Sequence, residues 1–157
     1  MNTTALRDSD WAAIDHVLLD LDGTLLDLDF DNHFWQSLVP QHWGAARGLD
    51  VVAARALLQP RFSACEGTLP WYSTEHWSRE LGLDIAALKR ADAERIRWLP
   101  GAQQFLAAAR ARGKRLVLLT NAHPQALALK HERTGVLDQF DASFSAHQFG
   151  APKEDPR

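Results

Sequence analysis

The chain has one cysteine, Cys65, among its 157 residues, which excludes an intramolecular disulfide and a multi-cysteine zinc site. Nothing around Cys65 reads as a nucleophile motif. There is no basic surplus either. Seventeen Lys and Arg stand against 20 Asp and Glu, a formal net charge of -3, so no overall field gathers a nucleic acid polymer and an anionic substrate has to be held locally. No apolar run approaches the roughly 18 residues of a membrane span. The polar start, with Arg7, Asp8, Asp10 and Asp15, does not read as a signal peptide. The cytoplasm is the expected compartment, with no membrane partner. Internal repeats and low-complexity tracts are absent. With 46% hydrophobic and 24% charged residues the composition is globular, and the length suits one domain or a compact core with an insertion.

What the chain does have is an apolar run of strand length, Val17-Leu18-Leu19, that ends in Asp20-Leu21-Asp22-Gly23-Thr24-Leu25-Leu26. Carboxylates admitted only at the end of a Val- and Leu-rich run suit a central strand of a parallel sheet covered on both faces, with the acids at its carboxyl tip. Ligands of such sheets gather there. Aspartates two apart on extended chain point the same way, so a cation or proton is expected between Asp20 and Asp22, and a hard divalent metal answers best.

Met1 to Asp10 reads as a polar lead-in, with Trp11 and Ile14 packing beside the first strand. Asp27 to Asn32 is too polar for a strand and is read as a linker leaving the core. Helical spacing then takes over. Phe34, Trp35, Leu38 and Val39 share a face before Pro40; Val51, Val52, Ala54, Leu57 and Leu58 share another before Pro60; two further amphipathic stretches follow. Residues 31–98 thus read as a four-helix insertion in an α/β core made of residues 1–30 and 99–157. Five of the six tryptophans (35, 43, 71, 77 and 98) fall in the insertion. Most are expected to fill its interfaces, with one or two left to stack on a flat base. Arg61, Trp71 and His76 are candidate ligand contacts there, although a structural or surface place is the simpler reading of each.

After Pro100-Gly101 a helix over Ala102, Phe105, Leu106 and Ala109 leads to a second buried strand, Arg115 to Leu119, tipped by Thr120-Asn121. Pro124 opens another helix, running to about Thr134. A third strand is expected over Asp141 to Ser145, followed by a loop that carries Lys153. Strand-helix-strand connections of this length imply a parallel sheet, which brings all three tips to one edge. Taken alone, Thr120-Asn121 reads equally well as a cap for the next helix, and Lys153 as a solvated lysine.

In that order the motifs resemble those of the haloacid dehalogenase-like (HAD) phosphohydrolases: Asp20-Leu21-Asp22-Gly23-Thr24, then Thr120 closing an apolar strand, then Lys153 beside Pro152. The resemblance implies a Rossmannoid α/β fold with a helical C1-type cap, Asp20 as nucleophile, Asp22 as general acid/base, Thr120, Asn121 and Lys153 on the phosphate, and Mg2+ held by the Asp20 carboxylate and the Asp22 backbone carbonyl. Asn32-His33-Phe34-Trp35-Gln36-Ser37-Leu38-Val39-Pro40, Leu119-Thr120-Asn121-Ala122-His123-Pro124 and Phe149-Gly150-Ala151-Pro152-Lys153-Glu154-Asp155 further resemble the bacterial GMP/IMP 5'-nucleotidase branch. That branch implies a nucleoside monophosphate as the small-molecule partner. The family's fourth motif, an acidic pair after a further strand, has no counterpart before Arg157. The expectation is therefore an incomplete sheet of about three strands and a weakened magnesium site. The alternatives are a HAD phosphatase for phosphoglycolate or a sugar phosphate, and an inactive remnant serving as a binding module.

Overall fold

The computed structural model describes residues 11–156; the lead-in read over Met1 to Asp10 lies outside the described residues. The first strand, β1 (His16–Leu19), stops at the last apolar residue before Asp20, and the chain turns on itself immediately after that aspartate. The amides of Leu25 and Leu26 both donate to the Leu21 carbonyl, at 2.8 and 2.9 Å. Gly23 makes the reversal at φ 76°, a left-handed conformation open to glycine without a Cβ clash. The turn tucks Leu21, Leu25 and Leu26 fully inside and leaves both aspartates at the strand tip.

Asp27 to Asn32 is not a plain linker. It contains α1 (Asp29–His33), which buries Phe30. The Asp27 carboxylate accepts the Asp29 amide at 2.8 Å, and Asp29 and Asp31 lie in the first turn, where a helix favours negative charge. A π-helical stretch, Phe34–Leu38, joins α1 to α2 (Val39–Ala45) without a break; the Val39 amide reaches back five residues to the Phe34 carbonyl. Neither proline ends its helix as expected. Pro40 follows the π-helical stretch in a helix already running, and the Gln36 carbonyl that an amide there would engage instead accepts Arg55 Nη2. Pro60 lies inside α3 (Val51–Cys65), which starts at an Asp50 cap that accepts the Ala53 amide at 2.8 Å.

Three shorter helices follow, α4 (Leu69–Tyr72), α5 (Thr74–Leu81) and α6 (Ile85–Ala91). The helical segment is therefore cut into more and shorter pieces than the four expected. A second apolar cluster, separate from that of the sheet, holds these pieces together around Phe34, Val39, Leu58, Phe62, Trp77 and Ile85. Trp35, Phe62 and Trp77 meet edge to face with centroids 5.1 to 5.8 Å apart, a geometry worth about 0.5–1.5 kcal/mol per pair beyond area burial. Trp77 Nε1 donates to the Trp71 carbonyl at 2.9 Å. Gly44 lets α2 approach α3, since a Cβ there would stand 2.9 Å from the Ala54 methyl.

The chain then returns through α7 (Ala102–Ala111), β2 (Arg115–Thr120), α8 (Pro124–Thr134) and β3 (Ala142–Ser145). The three strands form a parallel sheet in the order β1-β2-β3, with Leu19 opposite Leu118 and Thr120 opposite Ser145. Trp11 stacks on Phe105 of α7 at 6.3 Å. One expectation fails: β1 is not covered on both faces. Leu18 is 63% exposed, because among the described residues β1 is an edge strand packed through Val17 and Leu19 alone.

Candidate active site

The parallel register brings the tips of the strands together. Asp20 leaves β1 with its carboxylate engaged at both oxygens: Oδ1 accepts the Leu21 amide at 2.8 Å, and Oδ2 lies 2.7 Å from Lys153 Nζ. Asn121, at the tip of β2, fixes the loop that carries this lysine. Its Oδ1 accepts the Lys153 amide at 2.9 Å and its Nδ2 donates to Glu154 at 2.7 Å. Thr120 is buried, with Oγ1 accepting the Ala122 amide at 3.1 Å. Neither residue caps α8; His123 does, through Nδ1 to the Gln125 amide. Tyr72 of α4 comes from the helical segment to the neighbourhood of Asn121, and burial raises its phenol pKa.

Each aspartate of the pair also has an ammonium beside it, Lys153 for Asp20 and Lys130 for Asp22. Asp22 Oδ1 lies 2.6 Å from Lys130 Nζ of α8. The same ammonium lies 2.6 Å from Asp31 Oδ2 of α1, and Asp31 Oδ1 accepts Lys89 of α6 at 2.9 Å. Two carboxylates and two ammoniums thus form a formally neutral chain, its ammoniums buried and its carboxylates partly exposed. Burial raises the Asp22 pKa against the pull of Lys130. Burial would raise Asp31 as well, but Lys89 and Lys130 outweigh it and hold Asp31 below the usual carboxylate range. Burial would lower Lys130, and Asp31 and Asp22 overcome it. In Lys89 burial wins, and its pKa falls.

Sequence reading passed over Asp31, Lys89, Lys130, Tyr72 and Glu154, yet the two lysines carried a signal. Lys89 lies four residues after Ile85 and Lys130 four after Ala126, each one turn along a buried helical stripe. An ammonium on such a stripe demands carboxylates beside it.

Above the quartet lies a cleft of about 400 Å³. Asp22, Asp31, Lys89 and Lys130 line it together with Trp35, Phe62, Trp71 and Tyr72, with Arg55 and Gln59 beside them. Of the three candidate contacts, Trp71 faces this cleft. Arg61 instead covers the Trp43 ring at 5.7 Å and His76 packs on Trp77 at 4.9 Å.

Among the described residues no three His, Cys, Asp or Glu side chains converge as a metal cluster. The donors at the β1 tip are nonetheless hard oxygens, the Asp20 carboxylate and the Asp22 main-chain carbonyl. That set suits Mg2+, which takes few protein ligands and completes its shell with water and phosphate oxygens.

A pH-sensitive contact closes the far side. The Thr74 hydroxyl of α5 lies 2.9 Å from His123 Nδ1, and the His123 and His147 rings meet edge to face at 4.8 Å. Burial lowers both histidine pKa values from 6.5, with Glu75 opposing. A folded pKa below the unfolded one means that the unfolded chain binds protons first. Stability is then complete above the ordinary value of 6.5 and declines as the pH falls below it. Thermal melts from neutral to mildly acidic pH are expected to show this decline, and His147→Gln to flatten it; parallel profiles would remove the histidines as the cause.

A strand tip with paired aspartates, a lysine on the first of them, a parallel sheet and an inserted helical segment define a class. The family model for haloacid dehalogenase-like hydrolases matches residues 14–157, and the chain belongs to that family. It is 47% identical over 147 residues to the GMP/IMP nucleotidase YrfG of Escherichia coli (strain K12), a match covering 94% of this chain and 66% of the relative. The chain therefore spans just under two thirds of that relative's length. A HAD phosphatase from Thermococcus onnurineus has the same fold, with a TM-score of 0.72 at 22% identity over 85% of this chain and 62% of that one. The HAD-hydrolase YfnB from Bacillus subtilis, bound to magnesium, superposes with a TM-score of 0.54 at 15% identity over 88% of this chain and 67% of its own. No helix among the described residues is long and apolar enough to cross a membrane.

Proposed function

We propose that this chain carries the catalytic centre of a magnesium-dependent phosphomonoesterase that hydrolyses purine nucleoside 5'-monophosphates, GMP and IMP, through an aspartyl-phosphate. The observation that carries the reading is the Asp20–Lys153 pair at 2.7 Å, followed two residues on by Asp22, which lines an aromatic cleft. The likeness to a GMP/IMP nucleotidase supports the choice of substrate. We assign residues 31–98 as the cap and the rest as the core; α1 straddles that boundary.

The Asp20 carboxylate attacks phosphorus, and the bond from phosphorus to the ribose O5' breaks as Asp22 gives that oxygen its proton. A water then attacks the aspartyl-phosphate, giving its proton to Asp22 and freeing orthophosphate. Lys153 balances charge beside the transferring oxygens. Thr120 sits at the tip to contact them. Asn121 holds Lys153 in place through the loop and meets a phosphate oxygen only where that tie leaves room. Mg2+ at Asp20 and the Asp22 carbonyl would supply electrostatic stabilisation of the transferring group. The tryptophan wall suits a flat purine better than a small sugar.

Phosphate release with GMP, IMP, phosphoglycolate and glucose 6-phosphate, each with and without EDTA, tests the assignment. Expected is preference for the purine nucleotides and loss of turnover on chelation. Preference for the smaller esters would move the assignment to another HAD phosphatase. No turnover of any ester, with the fold intact, would favour the binding-module alternative.

A further inference from the structure

The chain of charges has an arrangement that the proposed chemistry does not by itself require. Asp31 lies in α1, where the backbone enters the helical segment, and Lys89 lies in α6, near where it leaves. Lys130 belongs to the core helix α8 and Asp22 to the turn after β1. Asp31 spends one oxygen on Lys89 and the other on Lys130, while Lys130 divides its ammonium between Asp31 and Asp22 at 2.6 Å each. The Lys130 side chain is 3% exposed and that of Lys89 6%. Neither can swing into water and back at low cost.

We propose that Lys130 is a positioning residue for Asp22, and that Asp31 and Lys89 anchor it to both ends of the helical segment, so that seating of that segment fixes the orientation of the Asp22 carboxyl. The inference rests on Asp22 acting on the leaving oxygen, as set out above. Its physical content is narrower. Asp22 is gripped through Oδ1, and that grip holds only while Asp31 holds Lys130 from the other side. With two of its three N–H bonds on Asp22 and Asp31 and its side chain 3% exposed, the Lys130 ammonium is committed first to these carboxylates. Lys130 therefore acts through Asp22.

The test exploits leaving groups. Ribose O5' leaves as an alkoxide and needs a proton; p-nitrophenolate is a stable anion and does not. In Lys130→Gln, kcat/KM for GMP is expected to fall on the order of 100-fold more than kcat/KM for p-nitrophenyl phosphate. A merely structural loss lowers both alike, and equal losses overturn the proposal. Should that variant fail to fold, the charge-balanced double variant Asp31→Asn/Lys89→Met keeps the Asp22–Lys130 pair while removing its anchor, and the same split in smaller measure is expected. A double-mutant cycle of Asp22→Asn and Lys130→Gln in chemical unfolding is independent of turnover: strong non-additivity supports the grip, and additive effects overturn it. If the unaltered chain hydrolyses neither ester but the cycle shows coupling, the proposed function fails and the grip stands.

Discussion

Lys130→Met is expected to lower the free energy of unfolding by about 3–5 kcal/mol, the usual cost of removing one partner from a buried ion cluster. Methionine keeps the length and much of the apolar stem, so a new cavity contributes little. The loss is electrostatic: Asp22 and Asp31 both had this ammonium at 2.6 Å, and afterwards two carboxylates share Lys89 alone. Proton uptake by Asp22, whose pKa burial already raises, softens the penalty without cancelling it. Measured against a typical total of roughly 5–15 kcal/mol, the change is a large share of the fold's stability. The Arg90–Glu132 pair provides the contrast. It is only slightly longer, 2.9 Å, but 65% and 59% exposed, and Arg90→Ala should cost no more than about 1 kcal/mol. Denaturant melts at low and high salt check both; a Lys130→Met loss as small as that of Arg90→Ala would show that the quartet is not closed in solution.

Asp20→Asn is expected to reverse this pattern. The amide cannot attack phosphorus, so turnover should fall on the order of 10³-fold or more. Stability should move by about 1 kcal/mol or less, because the pair with Lys153 is partly solvated, at 35% and 22% exposure. Phosphate release and a thermal melt on the same preparation decide the matter. Retained turnover in a folded Asp20→Asn protein would remove Asp20 as the nucleophile. Together the two variants separate the acid proposed to react from the lysine that holds its neighbour.

The fold was legible wherever local pattern and tertiary structure agree. β2 and α8 stand where the apolar runs and Pro124 place them, and the ordering of strand tips follows from connection length. The prolines misled because local contacts offset their cost: Arg55 takes the Gln36 carbonyl that Pro40 leaves unbonded, and Pro60 is tolerated within a helix held by the packing of Leu58 and Phe62. β1 misled differently. A Val- and Leu-rich strand announces burial without saying which faces neighbours will cover, and Leu18 found none among the described residues. At the candidate site, Asp20 and Asp22 stand out in the sequence as acids closing an apolar strand, whereas Lys153 drew notice only through the family resemblance. Asp31, Lys89 and Lys130 were not legible, because each makes sense only once segments far apart in sequence meet, and a lone lysine on an apolar stripe does not name its partner.

Asn121 carries a last consequence. By gripping both the Lys153 amide and the Glu154 carboxylate, it sets the place of the lysine from the tip of β2, whatever route the backbone takes from β3. The stretch over residues 149–151 is thereby released from the task of measuring distance. An insertion in that bend is therefore expected to lower phosphate release less than Asn121→Ala does, and a larger loss from the insertion would show that the bend itself sets the place of the ammonium.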